Sequence, residues 1–177
     1  MNKKHIFTLI LIILFAVIQT SVFPHILILN NSPGVLMVFL LVFTYFRGNS
    51  EGMYAGLVGG FVLDVLVGNA LGFYALVYMS VCFAMGFFPR KNIKDNVFIT
   101  MALTMAFIFP AEIIIYILKK ISIFISTGLE QISFNLMTYI LKNVLPSILY
   151  DCIIFIPVYY MVRKFDGFLN KNKKLLI

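Results

Sequence analysis

Charge is what this chain has least of. Only 12% of its 177 residues are charged, with 7 acids among them, while 62% are hydrophobic. A soluble domain carries about 25% charged residues and needs them to cover its surface. So small a polar allotment excludes a soluble enzyme and a disordered tail, and leaves a polytopic membrane protein in one domain. Tryptophan is absent, so any interfacial belt must be built from the 9 Tyr and 19 Phe. Cysteine is almost absent as well. Cys82 and Cys152 both fall inside apolar runs and make no CxxC, which excludes a disulfide framework and fits two small buried hydrophobes. His5 and His25 lie on opposite sides of the first apolar run, so no metal site is expected, and nothing calls for a cofactor.

What charge there is has a pattern. The net charge is +7, and eleven of the fourteen bases flank apolar runs: Lys3, Lys4, Arg47, Arg90, Lys91, Lys94, Arg163, Lys164, Lys171, Lys173 and Lys174. Cytoplasmic loops of membrane proteins hold an excess of Lys and Arg in this way. Bases interleaved with aromatics on one groove-reading element are missing, so the charge points to a membrane and away from nucleic acid.

Lipid offers no hydrogen bonds, so each apolar run of suitable length must be a helix. Six runs are expected, at about 6–23, 26–46, 52–67, 71–88, 96–118 and 138–162. The first starts at Lys3-Lys4 like a signal peptide, but no small-x-small cleavage site follows, so it reads as a retained anchor. The second is interrupted by Asn30, Asn31, Ser32, Pro33 and Gly34, either as a loop before a short helix or as a broken helix. Only Gly68, Asn69 and Ala70 separate the third and fourth, which makes a tight antiparallel hairpin. The fold class expected is therefore all-α, six transmembrane helices, with both termini in the cytoplasm. Loops 47–51 and 89–95 and the tail 163–177 hold the bases, while 24–32 and 68–70 hold none. Lys119, Lys120 and Lys142 alone fall outside that pattern. The stretch 119–137 alternates apolar and polar residues and is expected to lie as an amphipathic helix on the outer membrane surface, either a plain interfacial linker or a place for a partner to dock.

Within the spans one row recurs every fourth residue: Gly48, Gly52, Gly56, Gly60, then Asp64, Gly68 and Gly72, with Gly59 beside it. Residues four apart share a helix face, and small residues on one face let helices approach closely where lipid gives no hydrophobic push. The row is expected to be a packing seam within the chain, or a seam toward a second protein. Three acids, Asp64, Glu112 and Asp151, lie inside apolar spans. A charge at mid-bilayer costs at least about 2.5 kcal/mol, so such residues face a bundle interior or a cavity. Two readings stay open. The acids share one outward-facing polar pocket, with Lys119, Lys120 or Lys142 as counter-ions, or each one caps backbone groups freed by a proline.

Two intramembrane aspartates also raise the question of an aspartyl dyad, as in lipoprotein signal peptidase. The Asn and Arg that family places around its first aspartate are missing, and four spans differ from six. No P-loop, HExxH, GxSxG or kinase signature occurs. No enzyme is expected.

The stretch Gly52-Met-Tyr-Ala-Gly56-Leu-Val-Gly59-Gly60-Phe61-Val-Leu-Asp64 through Gly68, followed by Leu71-Gly72-Phe73-Tyr74-Ala75-Leu76, resembles the rod shape-determining protein MreD family. The Leu145-Pro146-Ser147, Tyr150-Asp151 and Pro157 pattern of the last span is similar too, with Asp151 where that family often has Asn. The resemblance implies a bacterial cell-membrane protein without catalysis, acting in cell-wall elongation and cell shape. It implies association with MreC, a single-span protein with an extracytoplasmic domain, and through it a link to MreB, RodA and a penicillin-binding protein. Members of the family are similar in fold to the substrate-binding S component of ECF-type vitamin transporters. That S component is the alternative function, and a solute pocket would account for Asp64, Glu112 and Asp151 directly. Its helix-packing patch on the first span has only Ala16 and Thr20 to match it here.

Overall fold

A computed structural model describes residues 3–22, 34–68, 72–88, 96–127 and 136–174. Every regular element among them is helical. The order is α1 (Lys3–Val17, ending in a π-helical turn Ile18–Val22), α2 (Val35–Arg47), α3 (Asn49–Val67), α4 (Phe73–Met85), α5 (Val97–Thr127), a short α6 (Leu136–Tyr139) and α7 (Leu145–Lys174). A second π-helical turn, Ile140–Val144, joins α6 to α7.

Three segments are long and apolar enough to cross a membrane: Asn49–Val67, Val97–Ser122 and Met137–Gly167. Three shorter apolar helices, Ile6–Ser21, Val35–Arg47 and Phe73–Met85, accompany them. At 1.5 Å per residue α2 and α4 are only about 20 Å long, against a hydrocarbon core of about 30 Å. Both therefore begin inside the bundle, where their first N–H groups need partners from other helices.

The centre is α2. Every residue from Val35 to Tyr45 is buried, which the sequence permits because no charge occurs before Arg47. It packs on α7, α3, α4, α5 and α1. Around it α3 shows how a membrane helix is patterned. Its buried residues are Gly52, Ala55, Gly56, Gly59, Gly60, Leu63 and Asp64, spaced three and four apart along one face. The opposite face carries Tyr54, Leu57, Phe61 and Val65, all exposed. Small residues point inward and large apolar ones outward, the arrangement expected where backbone approach drives packing.

Some boundaries differ from expectation, each for a local reason. The helix expected to stop at Leu118 runs on through Lys119 and Lys120 to Thr127, so the outer segment 119–137 does not begin as a separate surface element. Lysine is a good helix former, and neither Pro nor Gly occurs after Pro110 until Gly128. The rest of that segment, 128–135, lies outside the described residues, as does the interruption 23–33 of the second run. The π-helical turn at Ile140–Val144 precedes Pro146. A proline has no N–H and its ring crowds the carbonyl four residues back, so the chain widens there and the Leu145 N–H bonds Ile140 O, five residues back.

Candidate functional site

The three intramembrane acids are placed by two different structural problems. The first is the start of α4. Its N-cap is Gly72, at φ 101° and without a side chain to accept a bond. Asp64, on α3, supplies the missing acceptor. Its Oδ2 takes the N–H groups of Gly72 and Ala75 and its Oδ1 that of Tyr74, all at 3.0 Å. The carboxylate thus satisfies three orphan donors at the positive end of the α4 dipole, although it is buried.

The glycine row makes this possible, but not as one continuous seam. A Cβ on Gly56 would stand 2.7 Å from the Tyr78 carbonyl oxygen, and one on Gly60 would stand 2.6 Å from the Ala75 nitrogen. Gly59 faces Leu40 and Ile12, and Gly52 faces Thr44. These four hold α3 against α4, α2 and α1. Gly48, Gly68 and Gly72 are of another kind, with nothing within 4 Å of a Cβ and φ of 87°, 69° and 101°. They permit the turns at either end of α3, since the left-handed region is costly for other residues. The spacing of four continues through them only because the turns start and stop in phase with the helix.

The second problem is the start of α2. Two side chains from other helices meet it: Gln19 Oε1 accepts the Leu36 N–H and Asp151 Oδ1 accepts the Gly34 N–H, each at 2.9 Å. Asp151 is fully buried and its Oδ2 has no hydrogen-bond partner. Beside this junction opens a cavity of about 220 Å³. It is lined by Gln19 and Gly34, by Tyr74 and Tyr78 of α4, by Glu112, Ile115, Tyr116 and Lys119 of α5, and by Tyr139, Asn143 and Ser147. Glu112, Tyr116 and Lys119 fall four and three residues apart, so α5 presents them on one face. The Lys119 Nζ lies 5.3 Å from the Tyr74 ring centroid, and Lys120 Nζ lies 5.8 Å from that of Tyr116. Tyr116 and Tyr139 stack at 3.9 Å. The mouth is therefore an aromatic wall with two cations resting on it.

Of the three acids, Glu112 lines the cavity directly, Asp151 stands behind Gly34 at its wall, and Asp64 holds the backbone N–H of Tyr74, another lining residue. Of the counter-ions considered from the sequence, Lys119 lines the cavity together with Glu112.

The opposite end of the bundle holds a group the sequence reading passed over. Arg47 Nε lies 3.2 Å from Asp166 Oδ1, tying α2 to α7, and Arg47 Nη1 lies 3.8 Å from Glu51 Oε2. Asp166 is buried, although in the sequence it sits in a basic tail and reads as solvated. Gln19 and the four tyrosines were also missed. A lone amide inside the first apolar run was the available signal for Gln19. Among the described residues no three His, Cys, Asp or Glu side chains gather as metal ligands.

The model of one protein family, the rod shape-determining protein MreD, matches residues 2–173 of the chain. No curated protein and no solved structure matches it.

Proposed function

The chain belongs to the rod shape-determining protein MreD family, and on that premise we propose that it serves rod shape determination as a non-catalytic membrane scaffold for an MreC-like single-span partner. Through that partner it would be linked to MreB, RodA and a penicillin-binding protein. The orientation follows from the bases: six helices cross or enter the bilayer, both termini face the cytoplasm, and the cavity opens outward.

The observation that carries the reading is the length of α5. Thirty-one residues make a helix of about 46 Å, some ten residues longer than the hydrocarbon core requires. Its last turns stand at the cavity mouth on the side where the partner's extracytoplasmic part would lie. Ile121 and Phe124 are exposed there, at and just past the end of the apolar span Val97–Ser122. Exposed apolar side chains at such a level fit a protein partner.

The test pairs depletion with recovery of the partner. Depletion should round or swell rod cells, and the tagged chain should co-purify with the MreC-like protein. Ile121→Ser with Phe124→Ser should lose most of that recovery while the amount of membrane-inserted chain stays unchanged. Rod cells of normal width after depletion would refute the role, and undiminished partner recovery would refute α5 as the docking post.

The cavity favours a second reading, a solute-binding S component. Tight vitamin binding together with unaltered cell shape after depletion would select it.

A further inference from the structure

We propose that the cavity is a binding site for a small free amine, its ammonium group seated at Asp151 Oδ2 and against the tyrosine faces. The proposal goes beyond the scaffold role and does not depend on it.

Three observations converge. The first is the unused oxygen. Asp151 Oδ1 is occupied by the Gly34 N–H, while Oδ2 is buried without a donor. A buried acceptor left unpaired is costly, so the site is complete only when something donates to it. The second is Gly34 itself. Its φ of −81° and ψ of 53° are open to any residue. A Cβ there would meet nothing closer than Asp151 Oδ2 at 3.6 Å, an ordinary contact. Neither backbone strain nor helix packing demands a glycine at this position. Its bare Cα is the cavity wall beside the carboxylate, and a methyl group would cover it.

The third is the match of charge and surface. Glu112 lines the cavity and Asp151 stands behind its Gly34 wall, two acids to face an ammonium, with Lys119 lining the cavity and Lys120 at its mouth. Tyrosine rings supply the wall, and the position of Lys119 over Tyr74 shows that this wall accepts a cation. Carboxylate and tyrosine faces together select an ammonium over a neutral alcohol of the same shape.

The test uses the full chain purified in detergent, with benzylamine and n-butylamine as probes and benzyl alcohol and n-butanol as their neutral counterparts. Calorimetry should show saturable binding of at least one amine, about tenfold tighter or more than its alcohol, because a site built for hydrogen-bond donors rejects the analogue that lacks them. Asp151→Asn and Gly34→Ala should each weaken that binding by about tenfold, with the thermal midpoint of the free protein not lowered. Should Asp151→Asn fail to fold, Gly34→Ala alone decides. No saturable amine binding, equal binding of amine and alcohol, or full binding by Gly34→Ala would overturn the proposal. So would amines that never bind while Gly34→Ala loses the MreC-like partner, an outcome that assigns the site to a basic side chain of that protein. Cell rounding on depletion is read without amines, so the scaffold role stands or falls separately.

Discussion

Two short helices, α2 and α4, start inside the bundle, and they are capped in different ways. At α4 one carboxylate uses both oxygens on three N–H groups, and glycines press α3 and α4 together beside it. At α2 two side chains from two helices share the work, one carboxylate oxygen is left over, and a cavity lies alongside. The difference separates two uses of an acid in a membrane. A fully occupied carboxylate is a fastener. One with a spare oxygen beside a hole is available to something else.

The largest effect should come from removing the fastener. Asp64→Ala strands the N–H groups of Gly72, Tyr74 and Ala75, each worth about 1–3 kcal/mol when buried without a partner. Folded yield in membranes should collapse, and Asp64→Asn should recover part of it, since an amide oxygen still accepts. Yield of Asp64→Ala equal to wild type would mean the clamp is dispensable.

Next in size is the seam beneath it. Gly56→Ala puts a methyl 2.7 Å from the Tyr78 carbonyl, a backbone atom that cannot step aside without moving α4. Overpacking of this kind costs about 1–3 kcal/mol. Gly48→Ala meets no neighbour and carries only the strain of φ 87°, about 1–2 kcal/mol. Denaturant titration of the two in detergent should rank Gly56→Ala the more harmful when combined with Tyr78→Phe, since the clash is with backbone and the phenol is irrelevant to it. Relief by Tyr78→Phe would contradict that assignment.

The smallest effects belong to the α2 side. Gly34→Ala should change stability by less than about 1 kcal/mol, in the stabilising direction, because it restricts only the unfolded chain. Asp151→Asn keeps an acceptor for the Gly34 N–H, so it too should be near neutral for folding. A loss of several kcal/mol from either would erase the distinction between the two helix starts.

How much of this was readable depended on distance along the chain. The seam of α3 was legible because its spacing is local, and burial on one face follows from 3.6 residues per turn. The end of α5 was expected at Leu118 with a separate surface helix after it, although nothing in Lys119-Lys120 breaks a helix and α5 runs on to Thr127. The clamp was half legible. Gly72 sits eight residues after Asp64 in the same row, but a bond from a side chain to backbone N–H groups across a turn leaves no pattern of residue types. Of the cavity only Glu112 and Lys119 were legible, because Gln19, Gly34, Tyr78 and Ser147 come from widely separated segments and only packing brings them together. Asp166 was hidden for the opposite reason, a single acid among bases that tertiary contact with Arg47 buries.

The most direct test is the thermal unfolding midpoint of Asp64→Asn beside that of Asp151→Asn, in one detergent and with no ligand added. A loss of about 2 kcal/mol at Asp64, from a neutralised cap with one acceptor removed, corresponds to a fall of roughly 4–8 °C. The account predicts that fall for Asp64→Asn and a midpoint within about 1 °C of wild type for Asp151→Asn. Equal falls in both variants, or the larger fall at Asp151, would contradict it.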